Sequence, residues 1–225
     1  MVRLSGLLGV ALLLFTAQAV FSAEAVRPLD RYSTEISREL AKTYDRHLRA
    51  LSEAIPRCFP WVFIPNDGLG VRQRKGVPND NYLSIWVWVE QYYTSEFAAT
   101  PREGRASAMF QRYGLDLLKR LASDPQVLGD PALSGFAVVL TWQKPEAKLP
   151  PGADRIGEAV AVFMDRASVQ KLFKRQLSLS EFLKRSMVYG FEGKQELGSI
   201  PLTVHEEALV YDLISPSPPE TPTKC

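Results

Sequence analysis

The sequence is poor in the residues that most often carry catalysis and metal binding. It contains two histidines, His47 and His205, and two cysteines, Cys58 and Cys225. Neither cysteine belongs to a C-x-x-C pair, and residues 204–207 lack the second histidine of an H-E-x-x-H zinc motif. The chain also has no G-x-S-x-G nucleophile elbow and no G-x-x-x-x-G-K-[ST] phosphate loop. We therefore predict no metal and no cofactor, and we favour a protein that is not an enzyme.

The sequence also lacks a strong excess of either charge. The 27 Lys and Arg residues nearly balance the 25 Asp and Glu residues, and the formal net charge is +2. Proteins that bind nucleic acid usually carry a broad positive surface. This composition therefore argues against a nucleic-acid partner.

The N-terminus follows the plan of a secretory signal peptide. Arg3 is followed by the apolar run Gly6–Phe15 and then by several small residues up to Ala25. The alternative is an uncleaved membrane anchor, but the apolar run is short for a span of about 20 residues. We predict that residues 1–23 are removed, that no transmembrane span remains, and that the protein is periplasmic or secreted.

The two cysteines are a candidate disulfide in such an oxidising compartment. Cys58 and Cys225 are the only pair that the chain offers, but the sequence cannot show whether their Cα atoms come within bonding range. Cys225 ends a Pro-rich segment, residues 215–225, which we predict to be extended and disordered.

The strongest strand signal covers residues 81–93, which hold two of the four tryptophans. Because side chains alternate along a strand, Leu83, Ile85, Val87 and Val89 share one face, and the aromatic residues share the other. The aromatic face is either covered by another element or open to a partner, and we favour a cover. The candidate ligand or partner surface comprises Tyr82, Trp86, Trp88 and, from a later strand, Trp142.

Residues 28–55 predict one long N-terminal helix, capped by Asp30 or Ser33 and ended by Pro56, because apolar residues recur at three- and four-residue steps. Its apolar stripe is the natural cover for the aromatic face. Residues 66–80, rich in Gly, Asn, Asp and Pro, predict a loop. The loop carries a candidate anion contact formed by Arg72, Arg74 and Lys75.

The remaining elements suggest a β-α-β-β-α-β order. Further strands are predicted at 135–143, 158–164 and 187–192, and a short one at 200–204. Helices are predicted at 100–122, 166–175 and 178–185. This order is that of a ferredoxin-like antiparallel sheet, here with an additional N-terminal helix, in a single α+β domain spanning residues 28–214. The alternative is a mixed sheet with helices on both faces.

The fold class does not decide the function, because this superfold hosts many activities. We predict an exported, non-enzymatic binding or interaction module for an unknown protein, envelope component or small ligand. The alternative is an exported enzyme, such as a hydrolase that uses His205 with the neighbouring Glu206 and Glu207.

Overall fold

The computed structural model describes residues 25–59, 61–74, 76–77, 79–90, 94–145 and 157–214. The expected signal peptide, residues 1–23, and the Pro-rich tail, residues 215–225, lie outside this part of the chain, so both stay predictions. No helix within the described ranges is long and apolar enough to cross a membrane.

Seven strands of the described chain form one mixed sheet. Their order is β1–β3–β4–β5–β6–β7, and β2 pairs with the same edge of β3 as β1 does. The strands are β1 (Val62–Phe63), β2 (Leu69–Gln73), β3 (Asn81–Val89), β4 (Gly135–Gln143), β5 (Gly157–Asp165), β6 (Met187–Glu192) and β7 (Gln195–Ser199).

The ferredoxin-like antiparallel sheet is not confirmed, because β3 and β4 are adjacent and parallel. Their register runs from Tyr82 opposite Gly135 to Val89 opposite Trp142. The chain between them is a helical crossover that returns it to the starting end of the sheet, which a parallel pair requires. The other pairs of neighbouring strands are antiparallel. The sheet is therefore mixed, and the fold class is α+β.

Side-chain contacts join the helices into a layer, in which the last helix, residues 207–213, packs on helices of the crossover. His47 Nε2 of the second helix lies 2.9 Å from the Leu121 carbonyl of the crossover, and Gln170 Nε2 donates to the Leu128 carbonyl at 2.9 Å. The helices are α1 (Glu35–Thr43), α2 (Asp45–Cys58), α3 (Ser95–Ala99), α4 (Arg102–Met109), a π-helical segment (Phe110–Gly114), α5 (Leu115–Leu121), α6 (Pro125–Gly129), α7 (Arg166–Phe173), α8 (Leu179–Arg185) and α9 (Glu207–Leu213).

This layer packs on the aliphatic face of the sheet, where the core lies. Leu83, Ile85 and Val87 of β3 have no exposed surface, and the residues beside them on β4 and β5 are equally buried. Each such side chain contributes about 1.5–3 kcal/mol to stability by leaving water. Of the alternative prediction, the mixed sheet is confirmed, whereas helices on its second face are not found among the described residues.

The N-terminal helix differs from its prediction in its bounds and in its packing. It is divided at Tyr44, it starts from the cap Thr34 instead of Asp30 or Ser33, and it passes through Pro56 to Cys58. It also packs beside α5 and the edge strands β1 and β2, on the aliphatic side of the sheet. Our expectation that it covers Trp86 and Trp88 is therefore wrong. The apolar stripe of this helix packs instead beside the crossover between β3 and β4, on the other face of the sheet.

Candidate functional site

The opposite face of the sheet, which we call the open face, is the side of the strands that bears Trp86 and Trp88. No described helix covers it. Phe63 is 52% exposed, and five further aromatic side chains are partly exposed. The aromatic residues of the open face are Phe63, Tyr82, Trp86, Trp88, Phe163, Tyr189 and Phe191.

Contacts within the sheet hold the rings of the open face in place. Trp86 Nε1 donates to Thr141 Oγ1 at 2.9 Å, so the polar edge of the indole is satisfied by a neighbouring strand. The Trp88 ring lies against Gly157, where an added Cβ would come within 3.2 Å of it. The Phe163 ring makes edge-on contacts with Tyr82 and Tyr189, at centroid distances of 5.1 and 6.1 Å. The aromatic surface is therefore fixed before any partner arrives.

Within the described ranges, the centre of the open face carries no charged side chain. Between the aromatic rings lie small residues such as Ser84, Ala137 and Ala161. Charges occur at its margins, where the Arg74 guanidinium lies 5.9 Å from the Tyr82 ring centroid and Asp165 caps α7. Depletion of charge at an aromatic centre is typical of the core of a protein–protein interface.

The candidate surface residues divide between the two faces. Trp86 and Trp88 lie half-buried on the open face, and Tyr82 lies on it but is only 3% exposed. Trp142 is on the other face, is 1% exposed, and cannot be part of such a surface. Its position follows from strand alternation, which groups it with Leu140 in the core. Phe63 was missed, although its aromatic segment R-C-F-P-W-V-F-I was visible in the sequence.

Trp142 instead belongs to a buried ion-pair network. Its Nε1 donates to Glu158 Oε2 at 3.1 Å, and the same carboxylate binds Arg105 through both of its oxygens. Farther out, Glu192 accepts from Arg102 and from Lys144, each at 2.6 Å. This network attaches helix α4 to strands β5 and β6. Since its carboxylates are fully paired, we assign it a structural role.

A polar pocket of about 300 Å³, which we call the arginine pocket, lies where the N-terminal segment meets β2. Arg72 and Arg74, two residues of the candidate anion contact, line it, whereas Lys75 lies outside the described residues. The segment around them is a strand instead of the predicted loop. The complete lining is Arg27, Tyr32, Ser33, Ser37, Val71, Arg72, Gln73 and Arg74.

The basic residues around the arginine pocket have different partners. Arg74 forms an ion pair with Asp80, and Arg31, just outside the lining, forms one with Asp67. Arg27 and Arg72 donate to backbone carbonyl oxygens, those of Arg31 and Asp67 respectively, each at 2.6 Å. Burial, and then the charge of Arg27, hold the pKa of Arg72 below its usual value. Two guanidinium groups thus share the pocket without a described carboxylate partner.

A second pocket of about 360 Å³ lies between the crossover and α9, near His205. Its charges are mixed, because Arg112 and Lys119 face Asp116 and Glu207. Gln111 holds the backbone of His205, accepting from its N–H at 2.6 Å and donating to its carbonyl at 2.9 Å.

The His205 ring shows no catalytic arrangement in the part of the chain that the structure describes. Its Nε2 is buried without a hydrogen-bond partner, and Glu206 and Glu207 are exposed. The same part of the chain holds no group of three or more His, Cys, Asp or Glu residues that could bind a metal ion. No observation therefore gives His205 a partner for acid–base chemistry.

Cys58 lies at the end of α2, is 8% exposed, and takes part in a disulfide bond. The only other cysteine of the sequence, Cys225, lies outside the described residues. The pairing of Cys58 with Cys225 therefore stays a prediction.

Comparison of the chain with models of protein families, with curated proteins and with solved structures found no match.

Proposed function

We propose that this protein is an exported, non-enzymatic interaction module that binds a protein partner through the open face of its sheet. The observation that carries the proposal is the aromatic surface of the open face, on which Phe63 is exposed and Trp86 and Trp88 are half-buried, with no charged side chain among the described residues between them. A contiguous apolar patch on the surface of a protein usually marks an interaction site.

The size of the open face suits a protein partner. Six rows of strands at about 4.8 Å, and strands of at most nine residues at about 3.3 Å per residue, give a surface of at most about 850 Å². A stable protein–protein interface buries roughly 800 Å² on each side. A sheet face of this width suits an extended partner surface better than a small molecule, which binds in a concave site.

The chemistry of the open face also favours a protein. Trp, Tyr and Arg are the residues that most often dominate binding energy, and they do so at the centre of an interface. Trp86 and Trp88 are already held by Thr141 and Gly157, so binding does not have to order them. Pre-ordering of this kind reduces the entropy cost of association.

The test is site-specific photocrosslinking in the native host. A photoreactive amino acid replaces Phe63 on the open face or, as a matched control, Leu209 on helix α9, which is exposed to a similar degree at 45%. We expect a discrete adduct from position 63 and none from position 209. Equal adducts at both positions, or no adduct at position 63, would contradict the proposal.

The identified partner is then purified and titrated against variants. Trp88→Ala should weaken binding by at least about 30-fold, the effect of an interface hot spot of about 2 kcal/mol, while Leu209→Ser should leave it unchanged. If the adduct contains a second copy of this chain and light scattering shows a dimer, the partner is another copy of the protein and not a different protein. Export is tested separately, by N-terminal sequencing of exported protein, which should begin between Val20 and Val26.

A further inference from the structure

The arginine pocket has an excess of positive charge among the described residues, although Asp67, which pairs with Arg31, also offsets part of the charge of Arg72. Arg27 and Arg72 line it, and carbonyl oxygens are their only hydrogen-bond acceptors. Among the nearby carboxylates, Asp67 pairs with Arg31 and Asp80 pairs with Arg74. Glu35 pairs with Arg38 on the exposed side of α1. Two formal positive charges are left for whatever occupies the pocket.

Keeping these two charges together without a counterion is unfavourable. Like charges repel one another, and a partly buried guanidinium has lost much of its hydration. The lowered pKa of Arg72 reflects both effects. A buried charge normally has a charged partner, so a pocket that has two cations and no described carboxylate partner for them points to an anionic ligand.

The pocket also has hydrogen-bond donors positioned for such a ligand. Arg27 Nε is buried and has no hydrogen-bond partner. The Tyr32 hydroxyl accepts the Val71 N–H at 3.3 Å, and its own proton is therefore oriented away from that strand. Burial raises the pKa of Tyr32, which keeps this hydroxyl protonated and able to donate.

We propose that the arginine pocket binds a phosphate group. A phosphate monoester carries about −1.5 to −2 charges at pH 7, which matches the two unpaired arginines, whereas a carboxylate would neutralise only one. Guanidinium forks are well suited to bidentate contacts with phosphate oxygens. The volume of about 300 Å³ exceeds that of a bare anion and admits a phosphate with a small organic substituent.

This binding site lies at one margin of the open face, where Arg72 is the cross-strand partner of Tyr82, and its ligand goes beyond the proposed function. The same chemistry can come from a phosphorylated small molecule or from the headgroup of a phospholipid. A phosphate on a small molecule can enter the pocket in solution, whereas a lipid headgroup requires that this edge of the sheet lie against a membrane surface.

The test is calorimetric titration of the purified protein with glycerol phosphate, inorganic phosphate and acetate at matched ionic strength. We expect saturable binding of the phosphate compounds and at least tenfold weaker binding of acetate. Arg27→Gln and Arg72→Gln should each weaken phosphate binding at least tenfold. The matched control, Arg46→Gln on the exposed side of α2, should change it less than twofold. Equal losses in all three variants, or equal binding of acetate, would overturn the proposal.

Sedimentation with vesicles distinguishes the two sources of phosphate. Binding to phosphatidic acid vesicles and not to phosphatidylcholine vesicles, lost in Arg27→Gln, identifies a lipid headgroup. Binding of glycerol phosphate without vesicle binding identifies a soluble ligand. Absence of binding in both assays would overturn the proposal.

Thermal unfolding separates ligand binding from a structural role of the arginines. In phosphate-free buffer, Arg72→Met should keep or raise the melting temperature, because it removes one of two repelling charges. The same variant should lose the stabilisation that phosphate gives to the unchanged protein. A melting temperature several degrees lower, with the phosphate effect retained, would show that Arg72 is structural and that the proposal is wrong. If Arg72 variants do not fold, Arg27→Gln at the mouth of the pocket supplies the same comparison.

Discussion

Replacing Glu158 by alanine should destabilise the protein more than almost any other single change of a charged residue. The Glu158 side chain is 1% exposed and binds Arg105, whose side chain is 11% exposed. Alanine would leave this guanidinium buried with only the Thr100 carbonyl as acceptor, at 2.5 Å, and would leave the Trp142 Nε1–H without its carboxylate.

The expected loss follows from these broken contacts. Removing one partner of a buried ion pair costs about 3–5 kcal/mol, because the other charge stays buried without compensation. For a chain of this size, each kcal/mol lowers the melting temperature by roughly 2–4 °C. We therefore expect Glu158→Ala to lower the melting temperature by roughly 10 °C and to reduce the unfolding free energy, measured in urea, by a corresponding amount.

Glu192 provides the matched control, because it is the cross-strand neighbour of Glu158 and also binds arginine and lysine. Its side chain is 25% exposed, so Glu192→Ala should cost no more than about 1 kcal/mol. The double variant Glu158→Leu with Arg105→Met should recover a large part of the stability, since both charges leave the interior together. Equal losses of stability for Glu158→Ala and Glu192→Ala would refute this reasoning. So would a double variant whose loss equals the sum of the losses of its two single variants.

Three further predictions follow from burial and from the disulfide. Leu48→Ala on α2, where the side chain is fully buried, should cost about 2–5 kcal/mol in a urea titration, and a loss below about 1 kcal/mol would show that α2 packs loosely. Burial raises the pKa of Tyr113 to about 12, so its contribution should be present below pH 10 and lost as the pH rises to 12. Tyr113→Phe should reduce that alkaline loss of stability by roughly 2–3 kcal/mol, and an unchanged pH profile would contradict this. If Cys58 pairs with Cys225, Cys58→Ser and truncation after Ile214 should each lower the unfolding free energy of the oxidised protein by about 2–4 kcal/mol. Neither change should have an effect under reducing conditions. Unequal losses in the two oxidised variants would exclude that pairing.

The strands that could be predicted are those whose own side chains suit a sheet. β4 and β6 have the predicted bounds, because β-branched and aromatic residues alternate along them. β2 was predicted as part of a loop, because residues 66–80 are rich in Gly, Asn, Asp and Pro. It is a strand because its backbone pairs with β3, a long-range contact that the local sequence does not show.

Helix starts were predictable only where the cap was not in competition with a neighbouring element. A capping box of Ser178 and Glu181 starts α8 next to its predicted start at residue 178. The helix predicted from residue 100 begins at Arg102, without Thr100 as its cap, because a short helix precedes it and the Thr100 hydroxyl donates to the Glu96 carbonyl at 2.7 Å. The turn at Gly193 has a φ of 56°, which favours glycine, and it explains why β7 lies at Gln195–Ser199 instead of residues 200–204.

The candidate sites were predicted in part for a similar reason. Alternation along β3 correctly placed Trp86 and Trp88 together on one face. Which face is covered depends on the side taken by the crossover between β3 and β4, and the sequence of β3 does not contain that information. Likewise, Arg72 and Arg74 were visible as a basic pair, but Arg27 and Tyr32 join them only through folding.

The parallel pairing of β3 with β4 has a consequence for the order of folding. The antiparallel pair β6–β7 closes through a short turn, whereas β3 reaches β4 only after the chain from Glu90 to Ser134 has been ordered. Closing such a long loop costs entropy before any contact rewards it, and non-local pairings of this kind slow folding. We therefore expect the half of the sheet formed by β4 to β7 to be established first. β3, with its tryptophans, then joins an existing template, and its backbone edge stays open to other chains until that step is complete.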